Sequence, residues 1–161
     1  MRKLLVLAFV PLFFLLLAVP TAKADEVERG TMFATVYGGL YTGGGDVEFG
    51  IGGSIEYAFT ERYGFLAEFN VVPGAEPSTW YTLGGSFVYN IPADMDKIIP
   101  YATAGFHYVR VMDYDTWAMS FGGGAKYQWK ESMGLRFDVT IFAPEFEDVV
   151  FRLAGGAMWT F

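Results

Sequence analysis

After its first 24 residues the chain alternates between two chemistries, residue by residue. From Val149 to Phe161 one parity reads Val149, Phe151, Leu153, Gly155, Ala157, Trp159 and Phe161, and the other Val150, Arg152, Ala154, Gly156, Met158 and Thr160. Between Gly134 and Ala143 the apolar set Leu135, Phe137, Val139 and Ile141 alternates with Gly134, Arg136, Asp138, Thr140 and Phe142. A period of two belongs to strands whose two faces meet different surroundings. The same test predicts eight strands, at 30–41, 48–59, 62–72, 79–90, 100–111, 117–129, 133–143 and 149–161, each near the length that a tilted membrane strand needs. Past residue 24 no apolar run is long enough for a membrane helix, so a bilayer-spanning form of this chain must be a closed set of strands.

The chemistry of the two faces separates a membrane barrel from a soluble one. A soluble sandwich or barrel puts its large apolar side chains inside and polar ones outside. Here one face carries aliphatics and aromatics, and the other carries Gly, Ser, Thr and a few charges of both signs. Small polar residues suit a narrow interior, and the apolar face suits lipid. The fold class read from the pattern is therefore all-β, an eight-stranded antiparallel transmembrane β-barrel.

The first residues supply the address. Arg2 and Lys3 precede an uncharged run from Leu4 to Val19, followed by Pro20 and the triplet Ala22-Lys23-Ala24. This is the three-part pattern of a secretory signal peptide, with cleavage predicted after Ala24. Residues 1–24 are then the leader and 25–161 the barrel. The leader takes three basic residues with it, so the mature chain holds 8 basic against 18 acidic residues, net −10. Nucleic acid is an unsuitable partner for so acidic a protein. Absence of Cys removes disulfides, thiolate metal sites and a lipoprotein anchor at the cleavage point.

Connections fall into two kinds. Thr60-Glu61-Arg62 and Lys130-Glu131-Ser132 read as tight turns, whereas 42–47, 73–78, 112–116 and 144–148 read as irregular, acidic loops. Tight turns belong on the periplasmic side and the loops outside. The longer connection from Ile91 to Pro100 falls on the periplasmic side by parity. An internal repeat supports the register: at an offset of 70, Gly53, Tyr57, Phe59, Glu61 and Gly64 fall on Gly123, Tyr127, Trp129, Glu131 and Gly134. The same offset superposes Glu56 on Lys126 and Glu68 on Asp138.

Several segments carry a family resemblance. The leader, the run Pro100-Tyr101-Ala102-Thr103-Ala104-Gly105, the run Gly122-Gly123-Gly124-Ala125-Lys126 followed by Leu135-Arg136-Phe137-Asp138-Val139, and the terminal Phe161 together resemble the outer-membrane β-barrel domain family. That family is similar in architecture to the transmembrane domain of outer-membrane protein A. The resemblance spans the mature chain, and its degenerate motifs specify fold better than activity. It implies the cell outer membrane as location, lipid and lipopolysaccharide as surroundings, and handling by periplasmic chaperones and the barrel-assembly machinery, for which Trp159 and Phe161 supply the terminal aromatic signal. The peptidoglycan-binding domain of some family members is not matched, so a cell-wall tether is not implied.

Inward parity gathers three acids, Glu56, Glu68 and Asp138, and three bases, Lys126, Arg136 and Arg152. An unpaired charge in a narrow interior would be expensive, so pairing across the lumen is expected. Glu56 and Lys126 sit at equivalent heights on hairpins that an eight-stranded closure puts on opposite walls, and they are expected to meet. His107 is the only histidine. Some barrels of this size hydrolyse lipid A acyl chains with a His and a Ser close together on one strand, but His107 is followed by Tyr108, Val109 and Arg110. That motif is absent, and Ser120 on the next strand is left as the weak candidate for a nucleophile. The outward loops hold Asp46, Glu48, Glu76, Asp113, Asp115, Glu145, Glu147 and Asp148 without Lys or Arg, an acidic rim read mainly as solvated, with divalent-cation bridging as the sharper alternative. Two lipid-facing aromatic belts are expected, Phe59, Tyr63, Tyr89, Trp129, Trp159 and Phe161 at one end and Tyr41, Phe49, Tyr81, Trp117 and Phe151 at the other. The functional reading is a monomeric, non-enzymatic barrel with a structural or adhesive role, a plugged lumen and no cofactor or metal. The alternative is a narrow pore or a carrier of small solutes.

Overall fold

The computed structural model of the protein describes residues 27–43, 46–73, 79–93, 95, 97–111, 114–144 and 149–161. The leader at 1–24 lies outside them. The eight strands among these residues are β1 (Met32–Gly43), β2 (Asp46–Ala58), β3 (Tyr63–Val72), β4 (Trp80–Asn90), β5 (Ile98–Val111), β6 (Tyr114–Lys130), β7 (Met133–Pro144) and β8 (Val150–Thr160). Each pairs antiparallel with its sequence neighbours, and β1 returns to β8 from Phe33↔Thr160 to Thr42↔Phe151, closing the barrel. Closure leaves no free strand edge, which a lipid environment requires of a sheet.

Two of the four connections at the end away from the chain termini differ from the sequence reading. Segments 42–47 and 112–116, expected as loops, are largely strand. Pairing runs on to Gly43↔Asp46 in the β1–β2 hairpin and to Val111↔Tyr114 in the β5–β6 hairpin. Pairing carried this far leaves fewer strand backbone groups without a partner at that end of the barrel. The repeat found at an offset of 70 corresponds to the β2–β3 and β6–β7 hairpins, the second carrying a register shift between Gln128 and Lys130 that the first lacks.

The two faces follow the parity of the sequence. On β7, Arg136, Asp138, Thr140 and Phe142 are buried while Phe137 and Val139 are more than half exposed, and on β8 Arg152, Ala154 and Met158 are buried while Phe151 and Leu153 are exposed. Outward glycines are roofed by aromatics of neighbouring strands: the ring of Phe65 lies over Gly85 and that of Phe137 over Gly155. Inward glycines make room for bulk. Tyr37 lies between Gly52 of β2 and Gly156 of β8, and His107 lies on Gly84 of β4, where any Cβ would strike the imidazole. In so narrow a barrel the interior admits large side chains only where the facing wall carries none.

Two aromatics depart from the expected belts. Tyr41 shares the inward phase of Phe33 and Tyr37, is 2% exposed, and donates its hydroxyl to Asn70 Oδ1 at 2.9 Å. Tyr89 keeps the outward parity of Tyr81 and Phe87 but is covered by its neighbours, its ring 5.4 Å from that of Tyr63. The other belt residues within the described strands lie outward or half-buried at the surface.

The interior is layered. Val27, Phe33, Ala58, Ile99 and Met158 form an apolar cluster at the mouth beside the termini. At the far mouth Tyr41, Val72, Val109, Ala118 and Phe142 cluster, with Trp80, Val111 and Val150 against them. Between these two clusters lie the charges.

Candidate functional site in the barrel interior

Lys126 and Arg136 sit directly opposite each other on β6 and β7. Like charges in that relation repel, and no acid is available within the pair to separate them. The counter-charge comes from the opposite wall, where Glu56 of β2 accepts a hydrogen bond from Lys126 Nζ. Lys126 also donates to Asn90 Oδ1 at 2.9 Å and lies over the ring of Phe33, 4.4 Å from its centroid. Glu56 and Lys126 are both fully buried. The second carboxylate oxygen of Glu56 is 4.0 Å from Arg136 NH1 and makes no hydrogen bond.

Arg136 carries the connection towards the far end. Its Nε donates to the Tyr101 hydroxyl at 2.7 Å and stands 3.3 Å from Asp138 Oδ2, while Tyr101 in turn donates to Asp138. Asp138 Oδ1 then accepts from Arg152 NH2 at 2.9 Å. Arg152 is the most connected group in the interior. NH1 donates to Glu68 Oε1 at 3.0 Å and NH2 to Glu68 Oε2 at 3.3 Å, a two-point grip on the carboxylate, and NH2 also reaches Thr140 Oγ1 at 3.0 Å. All six charged side chains singled out in the sequence therefore face inward and form one chain of contacts from Lys126 to Glu68.

Uncharged residues that sequence reasoning passed over hold this chain in place. Asn70 accepts from Tyr37 at 2.7 Å and from Tyr41, accepts from Arg152 NH1 at 3.3 Å, and donates to Thr82 at 2.7 Å. Parity places Asn70 on the inward face with Glu68, so its face was legible, but not its partners. His107 differs from the sequence reading in its neighbour. Its Nε2 stands 3.4 Å from Ser86 Oγ on β4, and its Nδ1 stands 3.6 Å from Glu68 Oε1. Ser86, not Ser120, is the hydroxyl beside it: both serines pair with Gly105, two residues from His107, one from either side, and the imidazole lies over Gly84 on the β4 side. The three side chains are buried inside the wall, and both oxygens of Glu68 are already engaged by Arg152.

The acidic rim is only partly within the described residues. Asp46 is exposed at the head of β2, Glu48 accepts from Trp80 Nε1 at 2.8 Å, and Asp115 lies 3.8 Å from Arg110 Nε. Extension of the β5–β6 hairpin brings Arg110 opposite Asp115, so a base joins a rim that the sequence reading made wholly acidic. Glu76, Asp113, Glu145, Glu147 and Asp148 lie outside the described residues. Among the described residues no three acidic or histidine side chains are grouped to hold a metal ion. At the other end Trp159 is half-buried on β8. Phe161 is 77% exposed beyond it, its backbone N–H donating to Met32 O at 2.9 Å and its carbonyl accepting from Met32 N at 3.1 Å.

No family model and no curated protein sequence matches the chain. Solved structures do. The N-terminal β-barrel domain of OprF from Pseudomonas aeruginosa is 15% identical with a TM-score of 0.68, over 84% of this chain and 100% of that one. Neisserial surface protein A is 15% identical with a TM-score of 0.64, over 81% and 96%. A structure from the de novo design of transmembrane β-barrels is 20% identical with a TM-score of 0.63, over 84% and 99%. The fold they share with this chain is the transmembrane β-barrel.

Proposed function

We propose that residues 25–161, freed of the leader at 1–24, form an integral β-barrel of a bacterial outer membrane whose role is structural and whose lumen is closed by its own charge pairs. The observation that carries this reading is the contact chain from Lys126 to Glu68, three acids against three bases, all within a twentieth of full burial. Ions entering such an interior would have to break pairs that have little water to replace them. A structural role is favoured over an adhesive one because the β1–β2 and β5–β6 hairpins leave only two residues each beyond their last pairs, little surface for recognition. Lipid and lipopolysaccharide surround the apolar wall, Trp159 and Phe161 present the assembly signal to the barrel-assembly machinery after chaperone delivery, and the barrel works as a monomer.

Recordings from the purified protein in planar bilayers test the closed lumen. The expected result is no reproducible large conductance, and steady openings would overturn it. Membrane fractionation with sequencing of the mature N-terminus tests the address, expected to begin at Asp25.

A further inference from the structure

The apolar cluster at the mouth beside the termini contains one residue that belongs to no strand. Val27 is 6% exposed, and it packs with Phe33 of β1, Ala58 of β2, Ile99 of β5 and Met158 of β8. Strands β1 and β5 lie on opposite walls of an eight-stranded barrel, so these residues span the mouth, and Val27 is buried among them. The residues that follow are not buried: Glu28, Arg29 and Gly30 are exposed.

Local sequence accounts for the route. Thr31 N donates to Glu28 O at 3.1 Å, and Gly30 has φ +92°. Glu28-Arg29-Gly30-Thr31 is thus a β-turn with its third residue in the region that glycine adopts without strain, the type II pattern. The turn reverses the chain just ahead of β1 and sends Val27 back into the opening. Gly30 N then fastens the turn to the wall through Ala58 O at 2.8 Å.

We propose that Val27 is a stopper for this mouth of the lumen, carried on the Glu28–Thr31 turn and removable without altering the strands. The inference rests on the closed-lumen reading above and deepens it, by assigning the seal on this side to a segment outside the barrel wall. Everything else in the cluster is strand and is held by the ladder; Val27 is held by one side-chain contact set and one hydrogen-bonded turn.

The chain has no cysteine, so a single introduced thiol reports on access. Met158→Cys places it in the cluster that holds Val27, and Ser54→Cys places it further along the lumen, past Glu56. The full mature barrel, refolded into lipid vesicles and checked for folding by its electrophoretic mobility before and after heating, is treated with a small charged methanethiosulfonate. Val27→Asp is expected to speed labelling at Met158→Cys at least ten-fold. Gly30→Ala is expected to speed it several-fold. This second variant keeps the test open should the first misfold, since a Cβ at Gly30 meets no atom within 4 Å and acts only through the backbone. Labelling at Ser54→Cys is expected to stay slow in all backgrounds. An unchanged rate at Met158→Cys in both variants, with Ser54→Cys slow, would overturn the stopper and leave the closed lumen standing. Rapid labelling of Ser54→Cys with Val27 and Gly30 intact would overturn the closed lumen itself.

Discussion

Arg152 and Lys126 are both buried cations, yet they are held in different ways. Arg152 grips both oxygens of Glu68, adds Asp138, and has Thr140, Asn70 and Tyr37 within hydrogen-bond reach. Lys126 has one carboxylate oxygen and one amide, and the other oxygen of its partner Glu56 makes no hydrogen bond. The planar guanidinium suits several acceptors at fixed angles, whereas the ammonium acts as a point charge. The comparison teaches that equal burial does not mean equal worth: the Arg152 end is a network in which each member orients the next, and the Lys126 end rests on one carboxylate oxygen and one amide, with a second cation, Arg136, 4.0 Å from the other oxygen.

The largest effect should come from Arg152→Met. It leaves Glu68 and Asp138 buried beside each other without their shared cation, and about 3–5 kcal/mol of stability is expected to be lost in urea unfolding from lipid vesicles, followed by tryptophan fluorescence. Lys126→Met should cost roughly 3 kcal/mol or less, the lower edge of the same range, because Arg136 NH1 already stands 4.0 Å from Glu56 and can take over the charge. Equal losses in the two variants would erase the comparison. Arg152→Lys keeps the charge but loses the two-point grip, and about 1.5–3 kcal/mol is expected, the worth of one charged hydrogen bond. Smallest of all should be the double variant Glu56→Gln with Lys126→Gln, within about 1 kcal/mol of the unsubstituted protein, since removing both members of a buried pair strands no charge. A loss of several kcal/mol there would show that the Lys126 end is also a network.

How far these relations were legible in the sequence differs from residue to residue. Parity alone put Glu68, Asp138 and Arg152 on the inward face, and the 70-residue offset set Glu56 and Lys126 at one height. Parity gives a face and a height, and nothing about reach. Hence the inward phase of Asn70, Tyr37 and Tyr101 does not reveal that they join the charges, nor does that of Ser86 reveal that it stands beside His107. An aromatic near a strand end fits a belt, which puts Tyr41 on the lipid side by sequence, while the phase of β1, carried through to Gly43, turns it inward. Segments 42–47 and 112–116 differ for another reason: Gly and Asp signal a turn, but where the strands stop around it depends on pairing with the neighbour.

By itself the sequence determined the number of strands, their direction, and which side chains face lipid, because a period of two leaves each residue only one of two faces and the bilayer admits no unpaired backbone. Tertiary structure decided which inward groups touch. Contacts across a barrel depend on the stagger adopted when the first strand meets the last, and a shift of two residues in that stagger would move Glu56 past Lys126 and Glu68 past Arg152 while leaving every residue on its own face.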